Sequence, residues 1–380
     1  MASRQILFTA GPLHTSETVK AAQMTDYGSR DQKFMDAVKY VREKMVKLCR
    51  VDPNEWSCIL QPGAGTMAIE ACIQTLFPQQ GGKYLLINSG KYSERQGEIV
   101  EQYKFPMVTF VAGEGKDIDM DAFEKFVKQH PDVTTVGYVH HETSTGMVYP
   151  AEKIAAIVRK HVPNAVIIAD CMSSFGGILF DVINSCDIFV TSANKCLHSV
   201  PGVAIVVGRR SLIAKAKGNA RSNTLDLSRQ LASFEKSGQF RITPPVQCVM
   251  ALQQAIKEYI ADGGLRNRRT LYAAKSKIVC DAGKKMGFTL FLNENRPSFA
   301  HIVVCFNMPT DPRWNFKKFY QFLNSNGFVI YPGKASHAET FRIGLMGHTT
   351  LDETKQLMSC CKDALAAMGI DRLQPGNSKL

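Results

Sequence analysis

The middle of the chain alternates short apolar, β-branched runs with segments whose apolar residues recur every three or four positions. The runs read as strands over 83–88, 133–140, 165–170, 187–191 and 203–207. Between them, the spacing over 120–129 and 151–161 reads as amphipathic helix. Continuous apolar strands separated by helices predict a mostly parallel sheet with helices on its faces. After Asp262-Gly263-Gly264 the texture changes. A long helix over 268–285 leads to strands near 288–292 and 301–306, then a helix over 314–326. Strands over 328–331 and 340–345 and a last helix over 351–368 follow. The fold class is therefore α/β: a large domain over 1–262 with an N-terminal arm, a smaller C-terminal α/β domain over 263–372, and a tail over 373–380.

The 380 residues, 45% hydrophobic and 21% charged, are ordinary for a globular chain of two domains and exclude a disordered or fibrous one. No apolar run reaches the roughly 18 residues of a membrane helix, and the N-terminal apolar stretch is too short for a secretory signal. Eleven cysteines without a C-x-x-C pair fit neither a disulfide framework nor a structural zinc site, and suit a reducing compartment. Ser378-Lys379-Leu380 at the C-terminus reads as a peroxisomal address, with an import receptor as the implied partner. The surplus of 46 Lys+Arg over 34 Asp+Glu, +12, admits nucleic acid, anionic lipid or a small acidic substrate. The densest basic clusters, over 209–221 and 266–269, lack interleaved aromatics or a recognised module, so nucleic acid is not expected.

Candidate chemistry begins at Gln61-Pro62-Gly63-Ala64-Gly65-Thr66, where a strand-like stretch ends in a glycine-rich turn and a helix starts at Thr66. The free N–H groups and positive dipole end of a helix start suit a phosphate. Gly63, Gly65 and Ala68 also match a G-x-G-x-x-A dinucleotide fingerprint, but the next strand ends in Asn88-Ser89-Gly90, without an acid for a ribose hydroxyl. Taken alone, the turn is weak evidence, since it also reads as a tight turn into a core helix. A second piece, Val166-Ile167-Ile168-Ala169, delivers Asp170 at a strand end, where open α/β sheets bind ligands. A third, Thr191-Ser192-Ala193-Asn194-Lys195-Cys196, puts a lysine at the mouth of the next strand, 25 residues on. Either charge alone is most often a cap or a surface group. Together the three match the needs of pyridoxal phosphate: a lysine for the Schiff base, a carboxylate to keep the pyridine nitrogen protonated, and a helix end for the phosphate.

With those pieces placed, the chain resembles the fold-type I, class V aminotransferases nearly end to end. Asp170-Cys171-Met172-Ser173-Ser174, the stretch around Lys195, and Phe341-Arg342-Ile343-Gly344 carry the class. Gly28-Ser29-Arg30-Asp31, Ser192-Ala193-Asn194-Lys195-Cys196 and Ser222-Asn223-Thr224-Leu225-Asp226-Leu227 are similar to the branch that handles 2-aminoethylphosphonate. The resemblance implies that Lys195 carries the cofactor and moves a proton, while Asp170 pairs with the pyridinium nitrogen. It implies that Ala64, Gly65 and Thr66 hold the phosphate, that Tyr92 stacks on the ring, and that Thr143 and Asn194 contact the cofactor. Thr243 would reach the phosphate in the neighbouring subunit, which implies a homodimer with shared sites; its other use is as a helix cap. Arg342 is the expected partner of the substrate's acid group, because a guanidinium makes paired, charge-assisted hydrogen bonds to carboxylate or phosphonate. Arg30 is a second candidate, with an ion pair to Asp26 or Asp31 as its alternative use.

No metal is expected. The implied reaction is 2-aminoethylphosphonate plus pyruvate giving phosphonoacetaldehyde plus alanine. An alanine– or serine–glyoxylate aminotransferase is the alternative, since it shares the class and the organelle address. A cysteine desulfurase would need a nucleophilic thiol on a mobile loop, whereas Cys360 and Cys361 lie on a helical pattern. Two departures stand out: Ala64 where relatives carry Ser, and His198-Ser199 where a Gln-Gly pair is commoner. His198 therefore stands either as a hydrogen-bonding support behind the lysine or as a tuner of substrate choice.

Overall fold

Seven strands form one sheet in the computed structural model, which describes residues 5–374 apart from 334, 336 and 337. From edge to edge they run Trp56–Pro62, Val203–Arg209, Ile188–Ser192, Val166–Asp170, Thr135–Val139, Tyr84–Asn88 and Met107–Val111. Only Val203–Arg209 runs against its neighbours; the other six share one direction. Five of the seven fall where the apolar runs predict them, with ends moved by no more than two residues. The reason is burial on both faces, which turns a strand into an unbroken apolar run. Ile167, Ile168, Ala169, Ile188, Phe189 and Val190 are all fully buried. Met120–Lys128 and Ala151–His161 form the helices their periodicity predicts.

Beyond the helix Val246–Ala261, the 22-residue helix Gly264–Lys285 leads into a three-stranded antiparallel sheet. Its order is Val303–Asn307, Thr340–Gly344, Tyr331–Pro332, packed with helices Phe316–Ser325 and Leu351–Ala367. Two expectations are corrected here. The strand expected near 288–292 is reduced to one isolated bridge, Leu290 to Phe306. Its apolar residues serve an aromatic cluster instead: the Phe288 ring lies within 5.2–6.0 Å of Phe306, Trp314, Phe319 and Phe341. The run over 328–331 divides in two: Tyr331–Pro332 pairs with the Arg342 strand, while Phe328–Val329 pairs in parallel with Ile6–Leu7.

That last pairing stitches the N-terminal arm to the C-terminal part of the chain. The arm continues along the end of the Arg342 strand, where Gly344 N–H donates to the Phe8 carbonyl at 2.9 Å and His348 N–H to that of His14 at 2.7 Å. All eleven cysteines are unpaired, with Cys360 and Cys361 buried on the last helix. Leu373 is 1% exposed and donates its N–H to Met286. Ser378-Lys379-Leu380 lies outside the described residues.

Gly344 is where arm and strand touch. A Cβ there would come within 2.2 Å of the Thr9 carbonyl group, which is backbone and has no rotamer to yield. Gly344→Ala is therefore expected to destabilise the protein by about 1–3 kcal/mol, the usual cost of overpacking. Urea unfolding would measure it, and an unchanged midpoint would show that the arm is not seated as described.

Candidate active site

Six parallel strands bring their C-terminal ends to one edge of the sheet, where open α/β sheets bind ligands. A cavity of about 360 Å³ opens there, within the range of small-molecule sites. Its wall includes Gly63, Ala64, Gly65 and Thr66 after the first strand, Tyr92 after the Tyr84–Asn88 strand, Asp170, and Ser192, Asn194 and Lys195. A larger cavity of about 900 Å³ lies at the opposite edge, beside Trp56 and the helix Gln32–Leu48. It has neither a glycine-rich helix start nor a lysine at a strand end.

The glycine-rich turn is shaped by close contacts. Gly63 has φ +114°, and its N–H donates to the Gly202 carbonyl at 2.9 Å. A Cβ on Gly65 would fall 2.1 Å from the Met172 sulfur, so glycine alone lets the helix start lie against the turn after Asp170. The helix begins at Gly65, capped by an extended Ala64 that offers no side-chain bond. Met67 N–H turns back to the Ala64 carbonyl at 3.0 Å, and the Gly65 and Thr66 N–H groups are left for a ligand anion.

Asp170 is 7% exposed and accepts one hydrogen bond, from Met172 N–H at 2.9 Å. Burial raises its pKa to about 6, against the Met172 bond and the charges of Lys195 and Arg95. Lys195 is pushed below the usual lysine range, first by burial; Arg342 acts in the same direction, and Tyr92, Cys196 and Asp170 oppose it. Its Nζ donates to the Ala10 carbonyl of the N-terminal arm. A buried carboxylate with a single donor, a lysine inclined to lose its proton, an aromatic ring and free helix N–H groups together fit pyridoxal phosphate.

Arg342 is 3% exposed and bonds only to carbonyls among the described residues: Thr143 at 2.9 Å and Pro332 at 3.4 Å. Its charge therefore stays available to an anion. Thr143 is buried and joins the site through that carbonyl, outside the cavity wall. Arg30 and Thr243 are exposed and do not line the cavity. The ion pairs weighed for Arg30 do not form among the described residues, because Asp31 accepts from Gly28 N–H at 2.6 Å and Asp26 from Gln247 at 3.1 Å. Nor does Thr243 cap the following helix, whose N-cap is Pro245.

Sequence reasoning missed Arg95 and Glu142. Arg95 lines the cavity, approaches the Thr66 hydroxyl at 3.4 Å and lies 5.2 Å over the Tyr92 ring. It sits one helical turn after Tyr92, and Tyr92, Arg95, Gln96 and Ile99 all face the cavity from the helix Lys91–Gln102. That i, i+3, i+4, i+7 spacing was readable once Tyr92 was placed. Glu142 is fully buried, accepts from the Ser144 hydroxyl at 2.7 Å and from Tyr92 N–H at 3.2 Å, and is raised by burial to about 7. No local spacing marks it, because its partners are brought together only by the fold.

The geometry agrees with the comparisons. Residues 12–357 match the family described as Aminotransferase class-V. A 2-aminoethylphosphonate–pyruvate transaminase of Syntrophobacter fumaroxidans is 38% identical over 96% of this chain and 97% of that protein. One from Bacteroides fragilis is 36% identical over 94% and 98%. Among solved structures, the pyridoxamine–pyruvate aminotransferase of Mesorhizobium loti superposes with a TM-score of 0.86 at 24% identity, covering 97% of this chain and 93% of its own. An alanine–glyoxylate aminotransferase of Nostoc sp. does so at 0.86 and 20%, covering 96% of each. The chain belongs to the class-V aminotransferases and has the fold-type I architecture of those enzymes. It is an enzyme that transfers amino groups with pyridoxal phosphate as cofactor.

The raised pKa of Asp170 means that the folded apoprotein binds this proton more tightly than the unfolded chain does. The carboxylate therefore opposes folding once pH rises through about 6, and not below about 4. Asp170→Asn is expected to stabilise the apoprotein at pH 8 by up to about 3 kcal/mol, to lose that advantage near pH 4, and to bind the cofactor more weakly. Urea unfolding at the two pH values with a cofactor titration checks it; equal stability at pH 8 would contradict the burial cost.

Proposed function

We propose that the chain moves the amino group of 2-aminoethylphosphonate to pyruvate, giving phosphonoacetaldehyde and L-alanine at one site used alternately. The observation that carries this reading is Arg342, a buried guanidinium bonded only to carbonyls among the described residues, whose charge is felt by Lys195. Both substrates are small acids, and one such group can seat carboxylate and phosphonate in turn. The relatives of that name, 34–38% identical over nearly the whole chain, support it.

Pyridoxal phosphate supplies an aldehyde for amines and an electron sink. The residues supply the rest. Lys195, with burial favouring its uncharged form, attaches the cofactor and carries a proton to and from the amino-bearing carbon. Asp170 holds the proton of the ring nitrogen, Tyr92 covers the ring, and Ala64, Gly65 and Thr66 take the phosphate, with Arg95 beside the Thr66 hydroxyl. Asn194 flanks the cofactor from the cavity wall, while Thr143 acts from behind it by anchoring Arg342. Exposed Thr243 suits a homodimer in which each subunit completes its neighbour's phosphate site, and Arg30 serves the phosphonate only in such an assembly. Peroxisomal import belongs to this proposal on the strength of Ser378-Lys379-Leu380 alone; a fluorescent fusion leaving that end free is expected to be punctate, and a diffuse signal would remove it.

The substrate is tested by the absorbance of the bound cofactor. Conversion is expected with 2-aminoethylphosphonate and with alanine, and not with serine. Conversion with serine but not with the phosphonate would instead identify a glyoxylate aminotransferase. Arg342→Ala is expected to lower kcat/KM for pyruvate and phosphonate alike by about 10- to 100-fold; an effect confined to one acid would assign the other to a different residue.

A further inference from the structure

The turn after Lys195 is held more firmly than the chemistry above requires. His198 has φ +59°, a left-handed conformation that few side chains adopt, yet its side chain is 8% exposed. Its N–H donates to the Lys195 carbonyl at 2.8 Å and closes the turn. The ring then reaches across to the C-terminal part of the chain. Nε2 lies 2.7 Å from the Tyr272 hydroxyl and accepts from Gly347 N–H at 2.8 Å, while Nδ1 meets the Arg268 guanidinium.

Gly347 lies three residues beyond the strand Thr340–Gly344, which carries Arg342. Arg268, Tyr272 and Lys275 share a face of the helix Gly264–Lys285, at spacings of four and three. From that face the fully buried Lys275 donates to Thr349 Oγ1 at 2.7 Å and points at the Leu345 and Gly347 carbonyls, 3.4 and 3.5 Å away. The 345–349 turn is thus gripped by the helix on one side and by His198 on the other.

The ring has to be neutral to do this. Gly347 N–H can only donate, so Nε2 must offer a lone pair, which an imidazolium lacks; the ring proton then sits on Nδ1, where Arg268 makes a close contact rather than a hydrogen bond, and the Tyr272 hydroxyl meets the Nε2 side. The groups facing the ring are Arg268, Tyr272 and Lys275 from the helix, Gly347 and His348 from the turn, and Cys196 beside Tyr272; no carboxylate is among them in the described residues. Burial, then Arg268, Lys275 and His348, hold the imidazole well below the usual histidine range.

We propose that His198 is a positioning residue: by accepting from Gly347 and bonding Tyr272, it locks the Lys195 turn to the loop that follows Arg342, and so fixes the lysine relative to the substrate arginine. This rests on the roles proposed above for Lys195 and Arg342. Glycine is comfortable at φ +59° and lacks the ring, so His198→Gly removes the lock without straining the backbone. His198→Gln keeps an acceptor of similar reach.

The test uses the cofactor-loaded enzyme. With His198→Gly, kcat is expected to fall at least tenfold, KM for pyruvate to rise about fivefold, and the midpoint of the cofactor's absorbance change with pH to move by half a unit or more. His198→Gln should recover most of each. Unchanged kinetics and midpoint in folded His198→Gly would overturn the proposal, as would a glutamine variant as impaired as the glycine one. Should His198→Gly not fold, Tyr272→Phe removes only the hydroxyl; a midpoint shift of half a unit or more supports the lock, and no shift refutes it. The absorbance titration needs no substrate, so it still decides the matter if 2-aminoethylphosphonate proves not to be the donor.

Discussion

A carboxylate at the end of a strand buried on both faces sets the terms for the whole site. Moving a charge out of water is costly unless hydrogen bonds or opposite charges replace the solvent. At Asp170 the chain provides one backbone N–H and the more distant charges of Lys195 and Arg95, which leaves the carboxylate at about 6. The environment is short of donors, which is the shortage a protonated ring nitrogen would fill in the proposed arrangement. Because six strands run the same way, the phosphate turn, Tyr92, Glu142, Thr143 and Lys195 all arrive at the same edge as consequences of topology rather than of local sequence.

Charge is layered around that point. Two buried acids, Asp170 and Glu142, are both raised by burial; Asp170 raises Glu142 further, and bonded N–H groups hold each of them down. The cations stand around them: Arg95 on the phosphate side and Arg342 from the C-terminal sheet. Glu142 fixes Tyr92 through its N–H, and the next residue, Thr143, fixes Arg342 through its carbonyl. One short hairpin, His141–Glu142 with Met147–Val148, therefore references Tyr92 and Arg342 to each other. The overall surplus of positive charge, +12, has the sign that attracts small acids at longer range.

Much of this was legible before any coordinates. The doubly buried strands announced themselves as apolar runs, and Asp170 and Lys195 stood at strand ends where function gathers in such sheets. What stayed hidden has physical causes. Phe288 and Phe291 look like a strand because aromatic packing and strand burial demand the same residues. Phe328 to Tyr331 reads as one element because nothing in four residues reveals that its halves pair with different partners. Arg95 was within reach through helical periodicity. Glu142 and the partners of His198 were not, since contacts 50 to 149 positions apart leave no local trace.

The pairing of Ile6–Leu7 with Phe328–Val329 bears on how the enzyme is made. Ile6 and Leu7 find their partners more than three hundred positions later, and the same arm supplies the carbonyl that receives Lys195. At roughly 5–20 residues per second, a ribosome needs about 15–60 s to emit the missing strand. Throughout that interval the central sheet can form while the arm hangs free and the lysine is uncovered. Catalytic competence therefore comes only after the Phe328–Val329 segment is made, when the N-terminal arm meets it.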